Sequence, residues 1–131
     1  MKSYLNIFVL LIIGSAHAKQ NYSLSWRQDR VQKFVKEAIE ENDVVAFTKS
    51  YCPYSHRARK ALASAGIDFK HYDIDKMPDM RMIQDELQRI TGARTVPRVF
   101  IHQKFYGGGT DTAQGVASGE VQSLVQGGKK E

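Results

Sequence analysis

From Val31 to Val125 the apolar residues switch repeatedly between the 3.6-residue spacing of a helix and the short or alternating runs of strands, and few folds accommodate that order. Val31, Phe34, Val35, Ala38 and Ile39 recur at helical spacing, with Ser25 or Asp29 available to cap the helix start. Val44-Val45-Ala46-Phe47 reads as a buried strand, and Cys52-Pro53-Tyr54-Ser55 opens a segment rich in Arg, Lys, Ala and Leu that stops at Gly66. Proline just inside a helix start and glycine just past its end punctuate that segment as helical. Phe69 to Ile74 alternates as a strand, and Met80, Ile83, Leu87 and Ile90 mark a helix closed by Gly92. Val99-Phe100-Ile101 and Phe105-Tyr106 flank a tight His102-Gln103-Lys104 connection, which predicts a hairpin. Thr110 or Asp111 can cap a last short helix ahead of Val121 to Val125. A βαβ unit followed by a hairpin and a helix implies an α/β domain, a mixed sheet with helices on its faces.

The first eighteen residues follow another logic. Lys2, an apolar run from Leu5 to Ile13 broken only by Asn6, and the ending Ala16-His17-Ala18 are the three parts of a secretory signal peptide, with cleavage expected after Ala18. The run falls short of the roughly 20 apolar residues of a bilayer span, which disfavours a retained anchor. It also lacks the arginines of a mitochondrial presequence. The expected organisation is a signal peptide at 1–18, one domain at 19–126 and a flexible tail at 127–131. The address is the secretory pathway, retained or secreted. Asn21-Tyr22-Ser23 is an N-glycosylation sequon, consistent with a lumenal protein. The net charge is +5, falling to +4 once Lys2 is removed. Its basic residues are interleaved with acids, as in Lys33, Lys36, Glu37, Glu40 and Glu41, which describes a solvated helix face and not a nucleic-acid surface.

One cysteine, Cys52, cannot form a disulfide within the chain. It is an intermolecular partner, a buried spectator or a reactive thiol. Its place between a strand and a helix points to the last, because unpaired N–H groups at a helix start stabilise a thiolate. Arg57 and Arg59 add positive potential, screened by solvent.

C-P-Y-S after a strand, Thr95-Val96-Pro97 before a later one, and Gly107-Gly108-Gly109-Thr110-Asp111 after the next form, in that order, the motif set of glutaredoxins, and the chain from about Val31 to Val125 resembles that family. The resemblance implies a thioredoxin-like fold with a four-stranded mixed β-sheet flanked by helices. It implies a catalytic Cys52 supported by Pro53, Tyr54 and Ser55, and a cis Pro97 facing Cys52 so that the main chain of Val96 pairs with glutathione. Lys49 and Gln84 match family positions that hold the glycine carboxylate, and Thr95, Gly108, Thr110 and Asp111 complete the glutathione-binding set, the last two at the γ-glutamyl end. Gly109 stands where many relatives carry a further cysteine.

Ser55 occupies the place of a resolving cysteine and cannot cleave a mixed disulfide. The expected activity is therefore a monothiol glutathione-disulfide oxidoreductase that exchanges glutathione with protein or small-molecule disulfides as a monomer. An alternative is a homodimer bridged by a [2Fe–2S] cluster on Cys52 and glutathione from each chain, a reading that Pro53 disfavours. A third is a redox-silent module that holds peptides on the Pro97 edge.

Overall fold

The computed structural model describes residues 2–128, with side chains from residue 22 onward. The expected signal segment and Asn21 lie outside the residues whose side chains are described, and the expected tail lies outside from residue 129.

Helix α1 (Lys2–Glu41) leads to β1 (Val44–Thr48), α2 (Pro53–Ser64), β2 (Lys70–Asp73), a 3-10 turn (Ile74–Lys76), α3 (Met80–Thr91), β3 (Arg98–Ile101), β4 (Lys104–Gly107), α4 (Gly109–Ser118) and α5 (Glu120–Gly127). The sheet order is β2-β1-β3-β4. β1 runs parallel to β2 and antiparallel to β3, and β4 is antiparallel to β3, giving a mixed four-stranded sheet of thioredoxin-like type. β1 is flanked on both sides and covered on both faces, which is why Val44 to Thr48 are all buried and do not alternate.

The pleat divides that strand between two cores. Val45 and Phe47 join Val31, Val35, Ile83, Leu87 and Phe100 under α1 and α3. Val44 and Ala46 join Ala58, Leu62, Val99, Ile101 and Val121 under α2 and α5. Phe47 anchors the first core through edge-to-face rings with Phe34 and Phe100 at 6.4 and 5.9 Å and a stacked Tyr72 at 6.0 Å. The interleaved charges of α1 form i,i+4 pairs, Lys33–Glu37 and Lys36–Glu40, on its wet face.

Four local expectations are corrected. Neither Ser25 nor Asp29 caps a helix start: α1 runs through both, since no glycine or proline between residues 15 and 41 interrupts propagation. The strand expected over Phe69–Ile74 shortens to Lys70–Asp73, because Ile74 turns inward as a fully buried residue of the 3-10 turn. The hairpin connection is two residues and not three: His102 and Gln103 take positive φ (46° and 70°) while Lys104 joins β4. The expected last helix is two, broken at Gly119 with φ 84°, and the N-cap of the first is Gly108, not Thr110 or Asp111.

Candidate active site

β1 ends at Thr48, and four residues later Cys52 stands at the N-cap of α2 in extended conformation (φ −85°, ψ 120°), with Pro53 in the first turn, where its missing N–H costs nothing. The Cys52 N–H donates to the Lys49 carbonyl at 3.1 Å and its own carbonyl accepts from the His56 N–H at 3.1 Å, so its backbone is held on both sides.

The half-buried sulfur feels opposed influences. Burial is the largest and pushes the thiol pKa up; the Ser55 N–H, the Ser55 hydroxyl, the Tyr54 N–H and the Lys49 charge together outweigh it, and the pKa lies below its ordinary value. Ser55 is fully buried, and its Oγ accepts from the Lys49 N–H at 3.2 Å, which leaves its hydroxyl proton for the sulfur. Tyr51 and Tyr54, 69% and 57% exposed, flank the thiol without covering it.

Across the groove the Val96–Pro97 bond is cis, and Cys52 Sγ lies 3.8 Å from the Val96 carbonyl oxygen. Pro97 is buried and Thr95 is exposed. Gly108 abuts this segment: a Cβ there would stand 3.7 Å from the Pro97 carbonyl. Its N–H donates to Asp111 Oδ2 at 3.1 Å, so Asp111 reaches back over the start of α4. Gly107 has no room for a side chain, since a Cβ would sit 2.6 Å from Asp111 Cβ. Gly109 is equally constrained, a Cβ falling 2.6 Å from the Tyr54 carbonyl oxygen, and this close approach packs the start of α4 against the first turn of α2. A cysteine at 109 would have to push the two helices apart.

Two expected residues sit less simply. Gln84 on α3 uses its Nε2 to donate to the Arg94 carbonyl at 3.2 Å, so its amide also shapes the loop before Val96. Thr110 occupies the second turn position of α4, exposed and pointing no bond to the cap.

Arg98, unmarked by the motifs, donates from Nε to the Thr95 carbonyl at 2.8 Å and from Nη2 to Thr95 Oγ1 at 2.6 Å, and its guanidinium lies 5.1 Å from the Phe105 ring centroid. Burial lowers its pKa and the Asp111 charge opposes that. Among the described residues no group of three or more His, Cys, Asp or Glu side chains is placed to hold a metal ion.

The family model described as Glutaredoxin matches residues 44–106. The chain is 40% identical over 94 residues to glutaredoxin-C8 of Oryza sativa subsp. japonica, covering 70% of this chain and 69% of that one. Monothiol glutaredoxin-S6 of the same organism is 35% identical over 120 residues, covering 91% and 86%. Against the mitochondrial glutaredoxin-2 of Pongo abelii, 36% identical over 91 residues and 70% of this chain, the match spans 56% of the relative's length. Among solved structures, oxidized glutaredoxin 2 from Chlamydomonas reinhardtii superposes with a TM-score of 0.73 at 35% identity, covering 77% and 95% of the two chains. The buckwheat glutaredoxin–glutathione complex superposes with a TM-score of 0.73 at 28% identity, covering 77% and 92%.

Proposed function

Since the chain belongs to the glutaredoxin family of thiol–disulfide oxidoreductases, we propose that it transfers glutathione through Cys52 alone. The observation that carries this reading is the single sulfur at the start of α2, its pKa lowered by Ser55, Tyr54 and Lys49, beside the cis Val96–Pro97 edge. Support for glutathione as the partner comes from the buckwheat complex, whose fold this chain shares, and from the charge arrangement around the groove. Glutathione carries two carboxylates and an ammonium. Lys49 and Gln84 are proposed to take its glycine carboxylate, Thr95 and Val96 its main chain, and Gly108, Thr110 and Asp111 its γ-glutamyl end.

In the proposed cycle the Cys52 thiolate attacks the glutathione sulfur of a mixed disulfide and the substrate thiolate leaves. A second glutathione thiolate then attacks the glutathione sulfur bound to Cys52, glutathione disulfide departs, and the Cys52 thiolate is restored. Ser55 cannot replace that second glutathione, so the cycle is ping-pong. With a Brønsted slope of about 0.45, each tenfold gain in thiolate costs roughly threefold in nucleophilicity, while the same acidity makes Cys52 a better leaving group. The helix start therefore favours release more than capture. A coupled glutathione-disulfide assay tests the proposal. Wild type should turn over and Cys52→Ser should not; activity retained by Cys52→Ser would overturn it.

A [2Fe–2S] cluster needs four ligands, and one chain offers one thiolate, so the alternative reading requires Cys52 and a glutathione from each of two chains. Anaerobic reconstitution yielding a colourless monomer is the expected result.

We also propose that residues 1–18 direct the protein into the secretory pathway, on the strength of their signal-peptide pattern. Mass spectrometry of the protein from its native compartment should show a chain beginning at Lys19; a chain retaining Met1 to Ala18 would refute the targeting. At a lumenal poise of about −180 to −210 mV the net direction is glutathionylation as readily as its reversal.

A further inference from the structure

The three residues between β1 and Cys52 contain neither glycine nor proline, yet one of them is gripped at every polar atom. The Ser50 N–H donates to Asp75 Oδ1 at 2.9 Å, and its hydroxyl donates to Asp75 Oδ2. Its carbonyl lies 2.8 Å from His56 Nε2. A carbonyl can only accept, so that nitrogen carries the proton and Nδ1 is left with a lone pair. Arg59 Nη2 stands 3.0 Å from Nδ1 and donates to it.

The chain of contacts returns to its origin. Arg59 Nη1 is 3.3 Å from His71 Nε2 and 3.8 Å from Asp73 Oδ1, and Asp73 Oδ1 accepts from the Thr48 hydroxyl at 2.7 Å. Thr48 closes β1, so the network starts at the strand end, passes through β2 and α2, and comes back to the loop two residues later. The charged and titratable groups facing His56 are thus Arg59 on α2 and, through it, His71 and Asp73 on β2; Asp75 comes from the 3-10 turn.

We infer that Asp75 and His56 are positioning residues, which clamp Ser50 from opposite sides and so fix the turn that sets the environment of the Cys52 sulfur. The link is short. Lys49, next to Ser50, offers its N–H to Ser55 Oγ and its carbonyl to the Cys52 N–H, so a shift of Ser50 disturbs the hydroxyl donor and the Lys49 charge together. Holding a loop residue in one conformation costs backbone entropy that one hydrogen bond does not offset but three together do. Asp75 is held below its ordinary carboxylate pKa, first by the Ser50 hydroxyl and then by the Ser50 N–H, so the clamp persists into mildly acid solution.

The inference rests on Cys52 being the reacting thiol, as proposed above, but not on what it reacts with. Its test therefore uses iodoacetamide at pH 6 and no glutathione, on the full chain. Asp75→Ala should slow alkylation of Cys52 about three- to tenfold, and His56→Ala about two- to fivefold. Asp75→Asn and His56→Gln, which keep an acceptor and a donor in place, should return to within about twofold of wild type. A purely structural role would lower the melting temperature of the alanine variants without changing the alkylation rate of folded protein. Alanine variants that alkylate at the wild-type rate, or conservative variants that do not rescue, would overturn the clamp; should Asp75→Ala fail to fold, the His56 pair decides. Wild type that alkylates rapidly but fails the coupled assay would sink the glutathione reading and leave the clamp standing.

Discussion

At Cys52, burial and hydrogen bonding pull the same sulfur in opposite directions, and Ser55 decides the balance because it contributes both an N–H and a hydroxyl. Ser55→Ala keeps the first and removes the second, and it also strips the Lys49 N–H of its acceptor. The expected result is a higher thiol pKa and about three- to tenfold less thiolate at pH 6, read from ultraviolet thiolate absorbance. The sign of the linkage follows. A thiol more acidic folded than unfolded adds stability as pH rises from its folded value to the ordinary thiol value, and that contribution disappears as pH falls through the folded value. The melting-temperature gap between wild type and Cys52→Ser should change across that window in favour of wild type as pH rises. The candidate site was legible in the sequence as far as Cys52, Pro97 and Asp111, which sit in dense local motifs. Ser50, His56, Asp75 and Arg98 were not legible. Ser50 meets Asp75 across 25 positions through polar contacts that leave no periodic trace.

At the scale of elements, α4 packs against the first turn of α2 only because glycine lets it. Gly109→Ala would drive a Cβ into the Tyr54 carbonyl and should cost about 1–3 kcal/mol of stability. By moving the Gly108–Asp111 turn away from Cys52 it should also raise KM for glutathione more than it lowers kcat, a split that steady-state kinetics resolves. The hairpin carries strain of a different kind. His102 and Gln103 both occupy the left-handed region without being glycine or asparagine, and their side chains gave no turn signal of the usual sort. Gln103→Gly should stabilise the fold by about 0.5–1 kcal/mol in thermal or denaturant unfolding, and an unchanged or lowered midpoint would contradict that reading. Helix and strand types were readable from apolar spacing, and so were the ends of α2 and α3 at Pro53, Gly66 and Gly92, while the start of α1 and the break between α4 and α5 were not. The end of α4 depends on Gly119, whose positive φ the pattern between Thr110 and Val125 does not announce.

For the whole molecule, the mixed character of the sheet was legible because a βαβ unit and a hairpin together demand it, while the order β2-β1-β3-β4 is set by long-range pairing that the sequence analysis did not specify. Its consequence is positional. The central strand, buried on both faces, delivers Cys52 at its end, while β3 delivers Val96 and Pro97 opposite, so two cores of packed apolar side chains hold the halves of one groove in register. The remaining question is whether the sulfur so placed takes up a tripeptide and gives it back. Intact-mass spectrometry of the folded protein after exposure to glutathione disulfide, and again after added glutathione, answers it most directly. A single glutathione adduct should form on Cys52, vanish when glutathione is added, and never appear on Cys52→Ser. A wild-type protein that remains unmodified would contradict the central claim.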